Sequence, residues 1–441
     1  MLYNQITTIK EFADVMKIKS KKLNYQQIAA LPSPKHRNPM KPLSLLRGLI
    51  RIISTPDLMA TRFKYTKKRM ELTKNKPCLI LMNHSSFIDL EIAYKIFFPR
   101  PLCIVSTRDS YIGKRWLMPL IGCIPTHKFV SDVSLLSDIK HALHEKKASV
   151  LMFPEAGYSL DGRATALPPK FSMLLKRLGV PVVTVITKGA FLRQPLYNEL
   201  IKRKVEITAD VQCLLTPEEI AEKSVAELDK MLEEVFSFDN FKDQYENGTE
   251  IDHKQRAKGL QRVLYKCPHC LAEGKMHGEG TVLKCNACGK SYEMTSLGRM
   301  EAKNGDTEYP HIPDWVDWQR ESVKKELENR SYSLTANVEI GIIKDHKALY
   351  RVGSGVLTHN DGGFILKGAN GAFEFTQPAL ASHSINADFY FYTMGDIICI
   401  GDKETLYYCF TPPEVPVFKA RLAAEELYKI KRASRRLSAQ E

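Results

Sequence analysis

Cys78-Leu-Ile-Leu-Met-Asn-His-Ser-Ser-Phe-Ile-Asp-Leu-Glu-Ile92 is the stretch that decides the fold. Leu79 to Met82 form an apolar run bounded by Pro77 and Asn83, the pattern of a buried strand. Asn83-His84-Ser85-Ser86 break that run abruptly. Phe87, Ile88, Leu90, Ile92 and Ala93 then recur at helical spacing, with Ser85 or Ser86 placed to cap the new helix. His84 therefore falls at a strand-to-helix turn, and Asp89, five positions on, lies in the helix's first turns. From there a carboxylate can swing back to one imidazole nitrogen. That contact fixes the tautomer and leaves the other nitrogen free to take a proton from an alcohol.

The stretch Asn83-His-x-x-x-x-Asp89 resembles the first motif of the glycerolipid acyltransferases, the 1-acylglycerol-3-phosphate (lysophosphatidate) acyltransferase family. The resemblance implies His84 as general base, Asp89 as its orienting acid and Asn83 among the substrate-binding residues. Three further blocks follow in family order. Ile121-Gly-Cys-Ile-Pro-Thr-His-Lys128 is similar to Gly-x-x-Phe-Ile-Asp-Arg: Gly122 matches, and Lys128 stands where the family's phosphate-holding Arg would be. A lysine neutralises phosphate as a point charge but lacks the bidentate fork. Phe153-Pro-Glu155 matches the start of Phe-Pro-Glu-Gly-Thr-Arg-Ser, with Ala156-Gly157-Tyr158 replacing Gly-Thr-Arg. This implies that Glu155 binds substrate hydroxyls or orders its loop. Gly157 is free to turn tightly or approach a ligand. Arg163, in the same loop, and Arg193, after the next strand, are candidates to replace the missing phosphate contact. Val180-Pro-Val-Val-Thr-Val185 resembles the fourth motif, with Pro181 structural.

Outward from these motifs, apolar runs at 79–82, 102–106, 149–153, 180–186 and 204–213 alternate with helical stretches. That rhythm predicts an α/β domain with a mainly parallel sheet, its catalytic residues in turns at strand ends. Residues 217–236 read as one amphipathic covering helix. Upstream, Pro42 to Ile53 predicts a mostly apolar helix with Arg47 and Arg51 on one polar face, followed by a basic cluster from Arg62 to Arg69. Such a helix suits the headgroup region of an anionic membrane. Lys17, Lys19, Lys21 and Lys22 add to this basic segment.

Cys267-Pro-His-Cys270 and Cys285-Asn-Ala-Cys288 are fourteen residues apart, which lets four thiolates occupy the corners of one tetrahedron. This looks like a zinc ribbon whose single Zn is structural, with a hairpin at Gly278 and Gly280 between the knuckles and His269 not a ligand. Strand signals then recur from Val338 to Phe410, with turns at 360–363 and 401–404, and a helix runs from about Val417 to Leu437. Seven strands closed by a helix resemble a pleckstrin-homology-like barrel in topology.

The expected domains are a basic N-terminal segment with a membrane-associating helix (1–70), a glycerolipid acyltransferase domain (71–250), a four-cysteine zinc ribbon (251–300) and a β-rich PH-like domain with a C-terminal helix (301–441). The chain of 441 residues carries a net charge of +14, which points to an anionic partner. No run of about 18 apolar residues is present, so no membrane-spanning helix is expected. No signal peptide is visible, and ten cysteines without a disulfide pattern suit a reducing compartment. The expected location is peripheral, on the cytoplasmic face of a membrane.

The resemblance implies transfer of a fatty acyl group from acyl-CoA or acyl-ACP (acyl carrier protein) to the sn-2 hydroxyl of lysophosphatidate. The altered third motif keeps a different lysophospholipid or acceptor open. A zinc-ribbon and PH-like binding protein is the non-enzymatic alternative. Nucleic acid is not expected as a partner, because the ribbon is poor in cations and has no aromatic ladder.

Overall fold

The computed structural model describes residues 18–130, 132–368 and 371–438, so Lys17 of the basic cluster lies outside the described residues. In chain order, a short strand β1 (Ser20–Lys22) precedes helix α1 (Ser44–Ala60). The first domain then runs β2 (Lys64–Lys68), β3 (Leu79–Met82), α2 (Asp89–Phe97), β4 (Leu102–Thr107), β5 (Cys123–Thr126), α3 (Val133–Lys140), β6 (Ser149–Met152), α4 (Ser172–Leu178), β7 (Val182–Lys188) and β8 (Thr208–Leu215). Its seven strands lie in the order β2-β8-β7-β3-β6-β4-β5. Every pairing is parallel except β7 with β8. β3 sits mid-sheet with all four residues buried, which is why it reads as an unbroken apolar run rather than an alternating one.

Three boundaries differ from the sequence reading. The sheet begins before residue 71: Lys64–Lys68 pairs in parallel with Thr208–Gln212, an exposed edge strand whose lysines hide its pairing. Residues 217–236 form two helices, α5 (Pro217–Glu222) and α6 (Val225–Val235), because Ser224 and Glu227 make a second capping box inside the stretch. β1, from the basic N-terminal segment, pairs with a strand of the last domain.

The four-stranded ribbon comprises β9 (Met276–Glu279), β10 (Val282–Cys285), β11 (Ser291–Met294) and β12 (Met300–Ala302), with the expected hairpin at Gly280. It rests on α7 (Ile312–Glu328). Trp315 of α7 is fully buried, its indole N–H donates to Lys266 O at 3.0 Å, and its ring meets Tyr292 edge-on at 4.9 Å.

The last domain holds β13 (Leu334–Ile342), β14 (Leu349–Asn360), β15 (Gly363–Gly368), β16 (Phe373–Pro378), β17 (Asn386–Asp388), β18 (Ile397–Gly401), β19 (Leu406–Phe410) and α8 (Val417–Leu437). Its sheet order is β16-β15-β14-β13-β19-β18-β17, antiparallel throughout, with β1 added on β14. The strand expected at Phe389–Thr393 is a short 3₁₀ turn after β17.

The units are joined by polar contacts: Arg163 to Asp317, His311 to Asp239, Arg262 to Asp396 and Lys128 to Asn386. Among the described residues no helix is long and apolar enough to cross a membrane. Trp315→Ala is expected to destabilise the ribbon and α7 by about 3–5 kcal/mol, from lost burial and an unfilled cavity. Urea unfolding followed by tryptophan fluorescence and circular dichroism checks this; a midpoint unchanged from wild type contradicts the packing role.

Candidate active site

Asp89 is fully buried at the start of α2. Its Oδ2 accepts from the N–H groups of Ser85 (2.7 Å) and Ser86 (3.0 Å) and meets His84 Nδ1 at 3.0 Å. The serine cap expected from the sequence is absent: no side chain caps α2, and the Asp89 carboxylate instead binds the two amides of the turn that precedes the helix. A charged acceptor makes stronger bonds to such amides, and a helix N-terminus favours negative charge. With Nδ1 so engaged, Nε2 of His84 has no hydrogen-bond partner among the described residues.

The His84 ring is stacked between Phe153 (3.8 Å between centroids) and Tyr158 (3.9 Å). Burial holds its pKa below the usual 6.5, against the hydrogen bond and charge of Asp89, which raise it. The ring is thus neutral at pH 7 and able to accept a proton, while two π-faces are placed to favour the imidazolium once formed.

His84 opens onto a cleft of about 670 Å³. Phe87, Leu90, Val105, Leu135, Met152 and Phe171 give it apolar walls, and Lys128 and Asp109 lie on its polar side. The last domain contributes Asp388 and Tyr392 to the same cleft. The sequence reading missed this contribution; no motif signals it, because it comes from a segment about 250 residues downstream (Lys128 to Asn386 is 258 positions). Lys128 Nζ donates to Asn386 Oδ1 at 3.3 Å and sits 6.0 Å from the Tyr158 ring centre. Burial raises the Asp388 carboxyl to about 6, with Lys128 pulling the other way.

The other sequence candidates fall elsewhere. Glu155 is fully buried; its two oxygens accept from His84 N–H (3.1 Å) and Thr165 N–H (2.7 Å), so it orders the loop instead of lining the cleft. Asn83 is also fully buried and spends its amide on Thr187 and Ser85, locking β3 to β7. Gly157 needs no glycine: its own φ is not left-handed, whereas Ala156 beside it is, at φ 55°. Gly122 does need one: φ is +84°, and a Cβ would press on Pro42 and the Leu102 carbonyl, so it shapes the entry to β5 away from the cleft.

Arg163 and Arg193 lie away from the cleft. Arg163 is held by Asp161 (2.9 Å) and Asp317 (2.8 Å) at the contact with α7. Arg193 is buried and bonded to Asp57 of α1. Neither lines the cleft. Cys267, Cys270, Cys285 and Cys288 form a separate cluster with all four Sγ atoms within 4.8 Å of one another, able to hold a metal ion.

Residues 63–188 match the family model described as Acyltransferase. The 1-acyl-sn-glycerol-3-phosphate acyltransferase BAT2, chloroplastic, of Brassica napus is 27% identical over 135 residues, 29% of this chain and 37% of that protein. The chain thus spans little more than a third of that relative's length. A solved structure, the 1-acyl-sn-glycerophosphate (LPA) acyltransferase PlsC from Thermotoga maritima, aligns at a TM-score of 0.36 with 17% identity, covering 43% of this chain and 76% of that one.

The titrations give two expected outcomes. With His84 as the proposed base, acyl transfer should rise with pH on an acid limb whose midpoint lies below 6.5 and then level, because the imidazole would have to be neutral to accept a proton; a pH–rate profile checks the midpoint. Glu155 is pushed by burial from 4.5 to about 8. A carboxyl raised in the folded state stabilises fully below 4.5, and that contribution is lost as pH climbs through about 8. Melting temperatures from about pH 6 to about pH 9 should therefore fall more for wild type than for Glu155→Gln; parallel curves contradict the assignment.

Proposed function

We propose that residues 63–188, which form an acyltransferase-family domain, transfer a fatty acyl group from an acyl thioester to the free hydroxyl of a lysolipid. The observation that carries this is the His84 Nδ1–Asp89 contact of 3.0 Å at the head of an apolar cleft, with Nε2 left free. His84 Nε2 takes the hydroxyl proton as the oxygen attacks the thioester carbonyl. The C–O bond forms, the tetrahedral intermediate collapses, and the C–S bond breaks. The departing thiolate takes the proton back from the imidazolium. No acyl-enzyme forms, and the base returns to its starting state. General-base help of this kind contributes roughly 10²–10⁴-fold, and holding the two substrates together contributes the remainder.

Lysophosphatidate, with acylation at sn-2 to give phosphatidate, is the acceptor suggested by the sequence motifs and by the relative's name. A different lysophospholipid acceptor is a second reading, favoured by one observation: both arginines expected to hold the headgroup phosphate are committed to carboxylates elsewhere. Acyl-CoA and acyl carrier protein both remain open as donors.

Membrane association is part of the proposal. Leu45 (82% exposed), Ile52 (70%) and Ile53 (68%) of α1 point outward. Arg51 instead lies over the Phe98 ring at 4.5 Å, and Arg47 donates to the Pro99 carbonyl. The helix thus turns apolar residues outward beside the exposed Arg51, as an interfacial helix does. The ribbon would hold one structural zinc through Cys267, Cys270, Cys285 and Cys288. Sγ separations of 3.8 Å (Cys267–Cys288) and 3.7 Å (Cys270–Cys285) support this, since a tetrahedron with Zn–S bonds of about 2.3 Å has edges of about 3.8 Å. The strand order of the last domain, with α8 closing it, supports the PH-like reading of residues 301–441.

A thioester-release assay with acyl-CoA or acyl-ACP and a panel of lysolipids tests the activity. His84→Ala should lose roughly 10²–10⁴-fold in rate with an unchanged circular dichroism spectrum; retained transfer excludes the mechanism. Elemental analysis of purified protein should find one zinc per chain, and Cys270→Ser should lower both zinc content and melting temperature.

A further inference from the structure

A second cavity, of about 460 Å³, lies beside the cleft and has no part in the acyl-transfer scheme. Its size is that of a small-molecule site. The acyltransferase domain supplies one wall, through the loop from Leu160 to Pro169, and α8 supplies another. Pro169, His383 and Tyr428 line both this cavity and the cleft, so the two adjoin. One carboxyl group also ties the cavity to the His84 corner. Thr165, which lines the cavity, donates its N–H to Glu155, whose other oxygen holds the His84 N–H.

Charge is uneven along this cavity. At Arg163 two carboxylates, Asp161 and Asp317, face one guanidinium. At α8 the balance reverses. Glu425 is shared by Arg320 (2.8 Å) and Arg421 (3.1 Å), and Glu426 by Arg320 (2.9 Å) and Lys429 (2.8 Å). Arg432 lies over the Tyr428 ring at 5.9 Å and has no ion pair among the described residues. The four cations Arg320, Arg421, Lys429 and Arg432 thus meet two carboxylates. Burial raises the Glu425 carboxyl, but Arg320 and Arg421 outweigh it and hold it down at about 2, so it is ionised at pH 7 and already counted in that balance.

Two donors there are uncommitted. Arg421 is 4% exposed; its Nε serves Glu425 and its Nη2 serves Thr165, which leaves Nη1 with no partner among the described residues. His383 Nε2 is buried and also has none. A guanidinium withdrawn from water with a free N–H favours an anion, because charge-assisted bonds to phosphate are among the strongest available. Tyr428 adds a flat ring at the boundary with the cleft, a surface on which a heteroaromatic base stacks. Arg421, Tyr428 and Arg432 all lie outside the residues that match the acyltransferase family.

We propose that this cavity binds the phosphorylated nucleotide of coenzyme A, so that an acyl-CoA thioester reaches His84 past Tyr428. The assignment rests on the acyltransferase reading and selects between the two donors that reading leaves open. Such a donor has two unlike ends. Its acyl chain suits the apolar cleft, and its nucleotide suits a cationic cavity with an aromatic wall. A carrier protein is far too large to enter a space of about 460 Å³.

Calorimetric titration of the full chain with coenzyme A, against pantetheine, which lacks the nucleotide, tests the site first. Wild type should bind coenzyme A and not pantetheine at the same concentrations. Arg432→Gln removes a cation that no carboxylate holds, so the circular dichroism spectrum should be unchanged, and coenzyme A binding should weaken about tenfold, the loss of one charge-assisted contact. Lys429→Gln should weaken it less. No binding by wild type, or equal binding by both variants, overturns the proposal. Kinetics then identify the bound phosphate. In Arg432→Gln the ratio of kcat/KM for acyl-CoA to that for an acyl N-acetylcysteamine thioester should fall by a similar factor. An equal loss with both thioesters overturns the nucleotide assignment. So does a raised KM for lysophosphatidate, or lost transfer from acyl carrier protein, with coenzyme A binding intact. Acyl transfer by a chain that binds no coenzyme A sinks the site and leaves the acyltransferase reading standing. Arg432-dependent binding of coenzyme A in a chain that acylates no lysolipid upholds the site and overturns that reading.

Discussion

One buried carboxylate oxygen sets the geometry of the corner at His84. Asp89 Oδ2 gathers the amides of Ser85 and Ser86 and the Nδ1 of His84 onto a single atom. An unpaired carboxylate with no exposure would be costly by several kcal/mol, so those contacts are a condition of its being there. They also make the position of the imidazole a property of the helix start. The helix start is fixed by the end of β3, and β3 is fixed by β6 and β7 on either side. Glu155 completes the brace by holding the His84 amide from the neighbouring strand exit and Thr165 from the far side of its loop. Two acids thus serve one imidazole, one through its ring and one through its backbone.

This corner was legible in the sequence because everything it needs is local. His84 and Asp89 are five positions apart, and the strand and helix that carry them announce themselves by hydrophobic period. The cysteine knuckles are legible for the same reason, since ligand spacing within a ribbon is short. What the sequence hides is partner choice over long separations. Arg163 looks like a free loop cation until Asp317, 154 positions away, is placed against it. Arg193 is claimed by Asp57 across 136 positions. Neither pairing leaves a periodic trace. The backbone offered a different trap: Gly157 is the residue type that suits a left-handed turn, but the turn falls on Ala156. Neither serine caps the helix, because both stand in the turn before it, where their amides bind Asp89.

The last domain completes one wall of the first domain's cleft. β5 is the edge of the seven-stranded sheet, and the turns after β4 and β5 would otherwise face solvent. Instead they meet Asn386, Asp388, Tyr392 and His346. Lys128, the lysine at the position where the resembling family carries arginine, is thereby given an amide oxygen and faces a carboxylate. Its charge is partly neutralised within the protein. Arg108, which no motif singles out, is left without a carboxylate in bonding reach among the described residues.

Burial acts on His84 in two opposite ways, and their difference favours the proposed general-base role. At rest, loss of water lowers the proton affinity of the ring, so at pH 7 it is neutral and ready to accept. Once the proton arrives, the same loss of water strengthens attraction to Asp89, because a charge pair interacts more strongly in a low-dielectric pocket. The faces of Phe153 and Tyr158 add their quadrupoles to the cation but contribute little electrostatically to the neutral ring. Each of these interactions grows as charge develops on the imidazole. Stabilisation that increases along the reaction coordinate lowers the barrier, whereas equal binding of both states would not. Substituting water for either aromatic face would solvate the resting ring as well as the cation, and the differential would shrink.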